Sequence, residues 1–428
     1  MAKSTWTDES LEYCLHCLSQ SETVAEALSK FRRMFPDVAA SSRTVQKVFG
    51  ENDLESPQYY LGSKTTDFDD YAENLKEQRK KDLYEKHERR NLELLRKRQT
   101  VIDTLVDALR EETAVLPRPT KPKPCKKKPN TGGKEDIVAP VSDVQIGEFV
   151  DAEAVGGTGE YSFEIFEKRL KVWKEFLITL IKRRMEQHNV GDIYIPFIGD
   201  IVEGVEIYAS QPHHIEMGLV RQTVKGAYAF ANALAEIAAT FPDNKIISHH
   251  VGGNHGRIGR KGANPYEDNW DRLLGYIMSL HLKDTPNVEM HIPKAWFSLV
   301  NVKGWMFHFS HGDNINSWMS IPAYGMLRAH SREQTMLGSI IHYYIIGHHH
   351  VLSQMQNGYG EVICNGNWVG GNEFSAKEIK SATRPCQLIM MVNEQHGVSD
   401  RSVCYFESKD TFVSRQQEFL KKKGIAIE

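Results

Sequence analysis

The chain is sparing with the features that would place it in a special class. Among its 428 residues no apolar run approaches the ~20 needed to cross a bilayer, so no helical span and no membrane partner is expected. The opening residues, Met1-Ala2-Lys3-Ser4-Thr5-Trp6-Thr7-Asp8, lack the apolar stretch of a secretory leader. Only six cysteines occur, at 14, 17, 125, 364, 386 and 404, and their scatter excludes a disulfide framework and points to reduced thiols in a cytoplasm. Cys14 and Cys17 would need a second nearby pair to make a zinc knuckle. Only Cys125 is in range, so two thiols facing a helical core fit better. A net charge of -3 excludes a uniformly basic nucleic-acid coat but not local patches. What remains is an ordinary globular composition, 40% hydrophobic and 25% charged, and a length that suggests two or three domains.

Residues 1–50 read as three short helices. Thr7 caps the first, with Leu11, Cys14, Leu15 and Leu18 on one face. Ser21 or Thr23 opens a second that turns Val24, Ala27, Leu28 and Phe31 inward and stops before Pro36. Ser41 or Ser42 caps a third, ended by Gly50, with Val45, Val48 and Phe49 inward and Arg43, Gln46 and Lys47 outward. The outline resembles a helix-turn-helix module whose third helix enters a major groove; a small helical bundle used for assembly is the other reading.

A polar, acidic linker is expected over 51–70. Over 71–113 proline and glycine are missing, and strong helix formers predict one long charged helix. Leu95, Ile102 and Leu109 recur every seven residues there, enough for a docking stripe or a short coiled coil that would join two copies of the chain. Residues 114–136 form a Pro/Lys-rich linker, from Leu116-Pro117-Arg118-Pro119 to Lys126-Lys127-Lys128-Pro129. Its unbalanced lysines suit a nucleic-acid backbone, so DNA is the expected partner of the N-terminal module and this linker.

From Ile137 to about residue 410 apolar runs alternate with amphipathic stretches, the rhythm of an α/β domain. Strands are expected at Ile137–Val144, Ile193–Ile198, Lys245–Val251, Val288–Phe297, Trp305–Phe309, Tyr343–Ile346, Val362–Cys364, Gln387–Val392 and Ser402–Phe406. Helices are expected over 161–188, 217–240 and 267–282, and residues 411–428 read as a helical or loose tail.

Five polar clusters follow these strands: Asp143-Val144-Gln145, Gly199-Asp200-Ile201-Val202-Glu203, Gly252-Gly253-Asn254-His255-Gly256-Arg257, Ser310-His311-Gly312-Asp313 and Gly347-His348-His349-His350. Strand ends are where α/β sheets place their ligands. Together the clusters supply carboxylate, amide and imidazole groups for two adjacent divalent cations, a set that suits manganese, iron or zinc better than calcium. Such a pair is the usual device for attacking a phosphate ester. Glu203 would orient a neighbouring group, and His249 and His250 alternate along a strand as core and supporting residues. Trp296, Trp305 and Trp318 suit core or cleft wall.

In this order and spacing, over roughly residues 137 to 395, the clusters resemble the calcineurin-like metallophosphoesterase superfamily. The resemblance implies a four-layer sandwich, two sheets packed face to face with helices outside. It also implies that Asp143, Gln145 and His350 hold one metal, that Asp200 bridges both, and that Asn254, His311 and His348 complete the second. His255 is then the acid that protonates or steadies the leaving oxygen, while His349 is only a neighbour. Two positions depart from the pattern. Gln145 stands where histidine is usual, a weaker and harder ligand that favours manganese. Gly256 and Arg257 follow where Asp or Glu is usual, and Arg257 either clamps a phosphate oxygen or pairs with a carboxylate. The expected activity is metal-dependent phosphodiester hydrolysis. DNA is the favoured substrate, similar to the DNA-repair exonuclease branch; the alternatives are a phosphoprotein or small-molecule phosphoesterase and a metal-stabilised DNA-binding regulator.

Overall fold

The computed structural model describes residues 6–52, 54–62, parts of 77–96, 124, 133–208, 210–316, 322–373, 375–379 and 382–425. The chain divides into two compact units, Met1–Ile102 and Asp103–Glu428. No helix among the described residues is long and apolar enough to cross a membrane.

In the first unit, α1 (Asp8–Ser19), α2 (Val24–Met34) and α3 (Ser42–Glu51) begin at Thr7, Thr23 and Ser41, whose side chains accept from backbone N–H groups of the first turn. Their inward stripes, including Cys14, Leu18, Leu28, Phe31, Val45 and Phe49, share one apolar cluster. Burial lifts the Cys14 thiol to about 12, so it packs there as a small apolar group. Two expectations need correction. Gly50 lies inside α3; the helix ends at Asn52, whose side chain satisfies the Val48 carbonyl at 2.8 Å. The segment expected as a polar linker is folded as far as Gly62, because Leu54, Tyr60 and Leu61 return to the cluster and Tyr60 meets Phe49 edge-on. Residues 80–90 are helical with every side chain exposed. The heptad positions Leu95, Ile102 and Leu109, and nearly all of the Pro/Lys-rich run, lie outside the described residues.

The second unit opens with β1 (Lys134–Val138), α4 (Phe163–Gln187), β2 (Asn189–Tyr194), β3 (Phe197–Ile198), α5 (Leu219–Thr240), β4 (Ile246–Val251), α6 (Trp270–His281) and β5 (Val288–His291). It continues with β6 (Phe297–Val302), β7 (Trp305–Ser310), α7 (Pro322–Leu337), β8 (Tyr343–Ile346), β9 (Ser353–Asn357) and β10 (Gly360–Cys364). It closes with β11 (Cys386–Asn393), β12 (Gly397–Tyr405) and α8 (Lys409–Lys422). The strands form two mixed sheets, β12-β11-β1-β2-β4-β3 with β5 beside β4, and β6-β7-β8-β10-β9.

Strand alternation decides what each sheet face meets. In β8, Tyr343 and Ile345 enter a cluster with Val138, Ile198 and Val251 of the first sheet, while Tyr344 and Ile346 join Met326 of α7 on the opposite face. The other face of the first sheet, through Ile137, Ile193 and Ile246, meets Phe166, Trp173, Phe230 and Leu274 of α4, α5 and α6. Within α4 the buried Phe166, Leu170, Trp173, Leu177 and Ile181 recur at helical spacing.

The stretch Val288–Phe297, expected as one strand, is two strands in different sheets, because the chain crosses between sheets around Pro293, which has no N–H to continue a ladder. Strand β1 starts at Lys134, inside the expected linker. The tail is helical through Lys422, and Arg415 anchors it to Glu407 and to the Gly157 carbonyl.

Burial gives the second unit an acid-labile element. His249 stacks on His291 at 4.7 Å and bonds Ser298; burial, and then His291, push it down to about 4. A histidine held neutral in the fold loses stability as pH falls below its ordinary value near 6.5 toward that folded value. The melting temperature of the second unit is therefore expected to fall between pH 6.5 and 4.5, and to fall less steeply in His249→Asn, as followed by circular dichroism.

Candidate metal centre

Strands β1, β2, β3 and β4 run parallel, as do β7 and β8, so their C-terminal ends gather the polar clusters. Among the described residues six that are not glycine have left-handed backbone: Asp143, Gln145, Asp200, Lys303, His348 and His350. Five of these are expected metal-holding residues. Each such conformation costs on the order of 1 to 3 kcal/mol and persists only where the surroundings over-determine it.

The hydrogen bonds show what fixes these loops. Asp200 donates its backbone N–H to Asp271 Oδ2 at 2.9 Å, and Ile201, Val202 and Gly253 also donate to that carboxylate. Asp271, in the first turn of α6, thus ties the loop after β3 to the loop after β4. The loop after β1 joins them through Val144 and Gln145, whose N–H groups bond the Asp200 carbonyl at 2.9 and 3.0 Å. The approach is too close for side chains at two glycines. A Cβ on Gly253 would lie 2.1 Å from Asp200 Oδ1, and one on Gly347 would lie 2.5 Å from Asp143 Oδ2.

Asp200, His311 and His348 bring their ligand atoms within 4.8 Å of one another. His311 Nδ1 donates to the Ile198 carbonyl at 3.0 Å, leaving Nε2 2.8 Å from Asp200 Oδ2 and 3.1 Å from Asn254 Oδ1. Holding one ring nitrogen this way is how a protein aims the other at a metal. Asp143 accepts the His348 N–H at 2.8 Å and has His350 Nε2 at 3.4 Å. Gln145 is buried beside them, with its Nε2 3.4 Å from His255 Nε2. His349, expected as a bystander, is half-buried, and its ring meets that of His348 at 5.1 Å.

The donors fit divalent cations. Asp143 Oδ2 and Gln145 Oε1 are buried and have no hydrogen-bond partner. Leaving such atoms bare costs about 1–3 kcal/mol each, an expense a cation would offset. Burial, then His311, push His348 down to about 3, so it presents a neutral lone pair. His311 behaves oppositely: burial opposes its charge, but Asp200 raises it to about 10, so a metal ion must displace its proton. Burial works against the Asp200 and Asp143 anions as well, yet the histidines beside each hold both below the usual carboxylate range.

His255 sits against a separate acidic support. Its Nδ1 faces the Glu203 carbonyl at 2.8 Å and the Glu203 carboxylate at 2.9 Å, and Tyr208 and Gln211 donate to the other carboxylate oxygen. Burial disfavours the charged ring, but Glu203 and Asp200 raise it well above its ordinary value. Arg257 pairs with Asp313 at 3.3 Å.

Three contributors were not legible in the sequence. Asp271 works only through backbone groups far away in the chain, and no spacing betrays that. Tyr208 and Gln211 lie outside any strand-end cluster and act through Glu203.

No family model matches this chain, and no curated protein matches it. Solved structures do. Vps29 from Entamoeba histolytica complexed with zinc is 10% identical with a TM-score of 0.27, covering 63% of this chain and 99% of that one. A novel archaeal phosphodiesterase is 12% identical with a TM-score of 0.27, covering 62% and 99%. The sulfate thiohydrolase SoxB of Thermus thermophilus, in complex with glycerol, is 9% identical with a TM-score of 0.29, covering 70% and 62%.

Removing the central tie should loosen the site. Asp271→Ala is expected to cost about 3 kcal/mol or more in chemical denaturation, because four N–H groups lose a charged acceptor. Metal titration gives a second check. Calorimetry should show Mn²⁺ binding that weakens from pH 8 to 6 as protons compete for His311, and Gln145→His should tighten it by about tenfold at each pH.

Proposed function

We propose that this protein is a divalent-metal-dependent phosphoesterase that hydrolyses phosphodiester bonds, with DNA as its substrate. The observation that carries the proposal is the gathering of carboxylate, amide and imidazole donors at parallel strand ends, five of them on strained left-handed backbone. The order of helices, sheet, sheet and helix around it is what we read as the four-layer sandwich of the calcineurin-like superfamily.

In this proposal Asp143, Gln145 and His350 hold one ion, Asn254, His311 and His348 hold the other, and Asp200 serves both. Manganese is the ion that best suits an amide oxygen at Gln145. When bound, the pair supplies positive charge for the phosphoryl oxygens and makes water a stronger nucleophile. The remaining work falls to the chain. The Glu203 carbonyl accepts from His255 Nδ1 and its carboxylate lies beside the same nitrogen, fixing the ring and keeping it protonated, so that Nε2 would deliver a proton to the departing alkoxide. Tyr208 and Gln211 hold Glu203 in place and act as positioning residues.

DNA is proposed from the three-helix module and the Pro/Lys-rich linker. The outward Arg43, Gln46 and Lys47 of α3 are exposed, as a helix reading a groove requires.

Asp200→Ala and His348→Ala are each expected to slow Mn²⁺-dependent hydrolysis of bis(p-nitrophenyl) phosphate by about a hundredfold or more, with the circular dichroism spectrum retained. Full activity with unchanged metal content would overturn the assignment. Labelled single- and double-stranded DNA should be cleaved, and removal of residues 1–132 should weaken binding and flatten its salt dependence. Hydrolysis of the small ester with DNA untouched would leave a small-molecule phosphoesterase; DNA binding without any hydrolysis would leave a regulator.

A further inference from the structure

Beside the metal centre lies a cavity of ≈ 290 Å³ with an unusual mix of walls. That volume is at the lower end of the roughly 300–1,000 Å³ typical of small-molecule sites. Its lining includes His311 and Gly312, so it adjoins the cluster of Asp200, His311 and His348. One wall is Trp296, which is 42% exposed and meets Phe297 edge-to-face at 5.3 Å. An exposed indole on a cavity wall is a ready surface for a flat ring.

Another wall is the loop between β4 and α6, which is built rather than loose. The Tyr266 hydroxyl donates to the Gly252 carbonyl at 2.8 Å and accepts the Gly252 N–H at 2.7 Å, pinning the loop to the end of β4. Ala263 closes a turn onto the Arg260 carbonyl at 2.9 Å, and the Asn264 side chain donates to the Ile258 carbonyl. This wall carries Arg257, Arg260 and Lys261. Arg257 is neutralised by Asp313. Arg260 and Lys261 are exposed and have no carboxylate partner among the described residues. An aromatic face and two unpaired cations beside a phosphate-cleaving centre answer the three parts of one nucleotide unit: scissile phosphate, base and outer phosphate. A phosphorylated side chain would use the cations and leave the indole without work.

We propose that this cavity binds one nucleotide unit of a nucleic-acid strand, with the base on Trp296 and the outer phosphate on Arg260 and Lys261. The proposal rests on the phosphoesterase reading and deepens it by placing substrate selection in the catalytic unit itself.

The test compares two probes on the full-length protein with Mn²⁺ present, thymidine 3′,5′-bisphosphate and inorganic phosphate, both by calorimetry. Thymidine bisphosphate should bind more tightly. Trp296→Ala should cut that preference by about tenfold, the usual weight of one stacked base. The Arg260→Ala/Lys261→Ala double variant, altered only at exposed side chains, should also reduce it and should lessen its salt dependence. No preference in the unmodified protein, or a preference that survives both changes, overturns the proposal. Hydrolysis of bis(p-nitrophenyl) phosphate by the unmodified protein separates the two levels. Hydrolysis without the preference loses the cavity alone, and the preference without hydrolysis loses the phosphoesterase reading alone.

Discussion

The backbone around Asp200 is the constraint on which the site depends. This residue is left-handed, its N–H is given to Asp271, and its carbonyl accepts from the loop after β1. Its carboxylate meets His311 from the second sheet on one side and accepts the His255 N–H on the other. Four strand ends are thus connected through one residue and the buried carboxylate beneath it. Burial and the neighbouring Asp200 push Asp271 up to about 6, but four donated N–H bonds favour its charged form. Two buried acids in one site would repel. Asp271 takes up backbone donors, while Asp200 turns to imidazoles, and that division lets both stay.

Such a site is expensive, and the scaffold around it is correspondingly deep. Five left-handed residues together with buried, unpartnered oxygens at Asp143 and Gln145 oppose folding. They are held by sheets whose two faces are both covered, so that every residue of β8 is buried just before the chain turns into His348. The rigidity is concentrated where the donors must converge. The cavity beside them reaches the buried His311 but also carries exposed side chains on a pinned loop, the kind of place where specificity can vary.

Much of this was legible in the sequence because the chemistry is local. Each strand-end cluster is a short run after an apolar stretch, and caps such as Thr7 and Ser41 announce their helices. Elements governed by distant packing were not legible. Strand β9 reads Ser353-Gln354-Met355-Gln356-Asn357, a half-buried edge with almost no apolar signal, and it forms because β10 offers a partner. Helix α7 begins at Pro322 and carries Gly325 where Asn316 approaches, so propensity argues against it, while the covering of Tyr344 and Ile346 requires it. The crossing at Pro293 between two sheets looked like one continuous strand because both flanks are apolar. Among the candidate site residues, Asp143, Asp200, Asn254, His311, His348 and His350 are brought together, whereas Arg257 is turned to Asp313.

The most direct test of a two-metal centre at these strand ends is anomalous X-ray scattering from crystals of the full-length protein grown with Mn²⁺. The account predicts two peaks that share Asp200, one against Asp143, Gln145 and His350 and the other against Asn254, His311 and His348. A map with no peak there, or with manganese bound only at other residues, would contradict it.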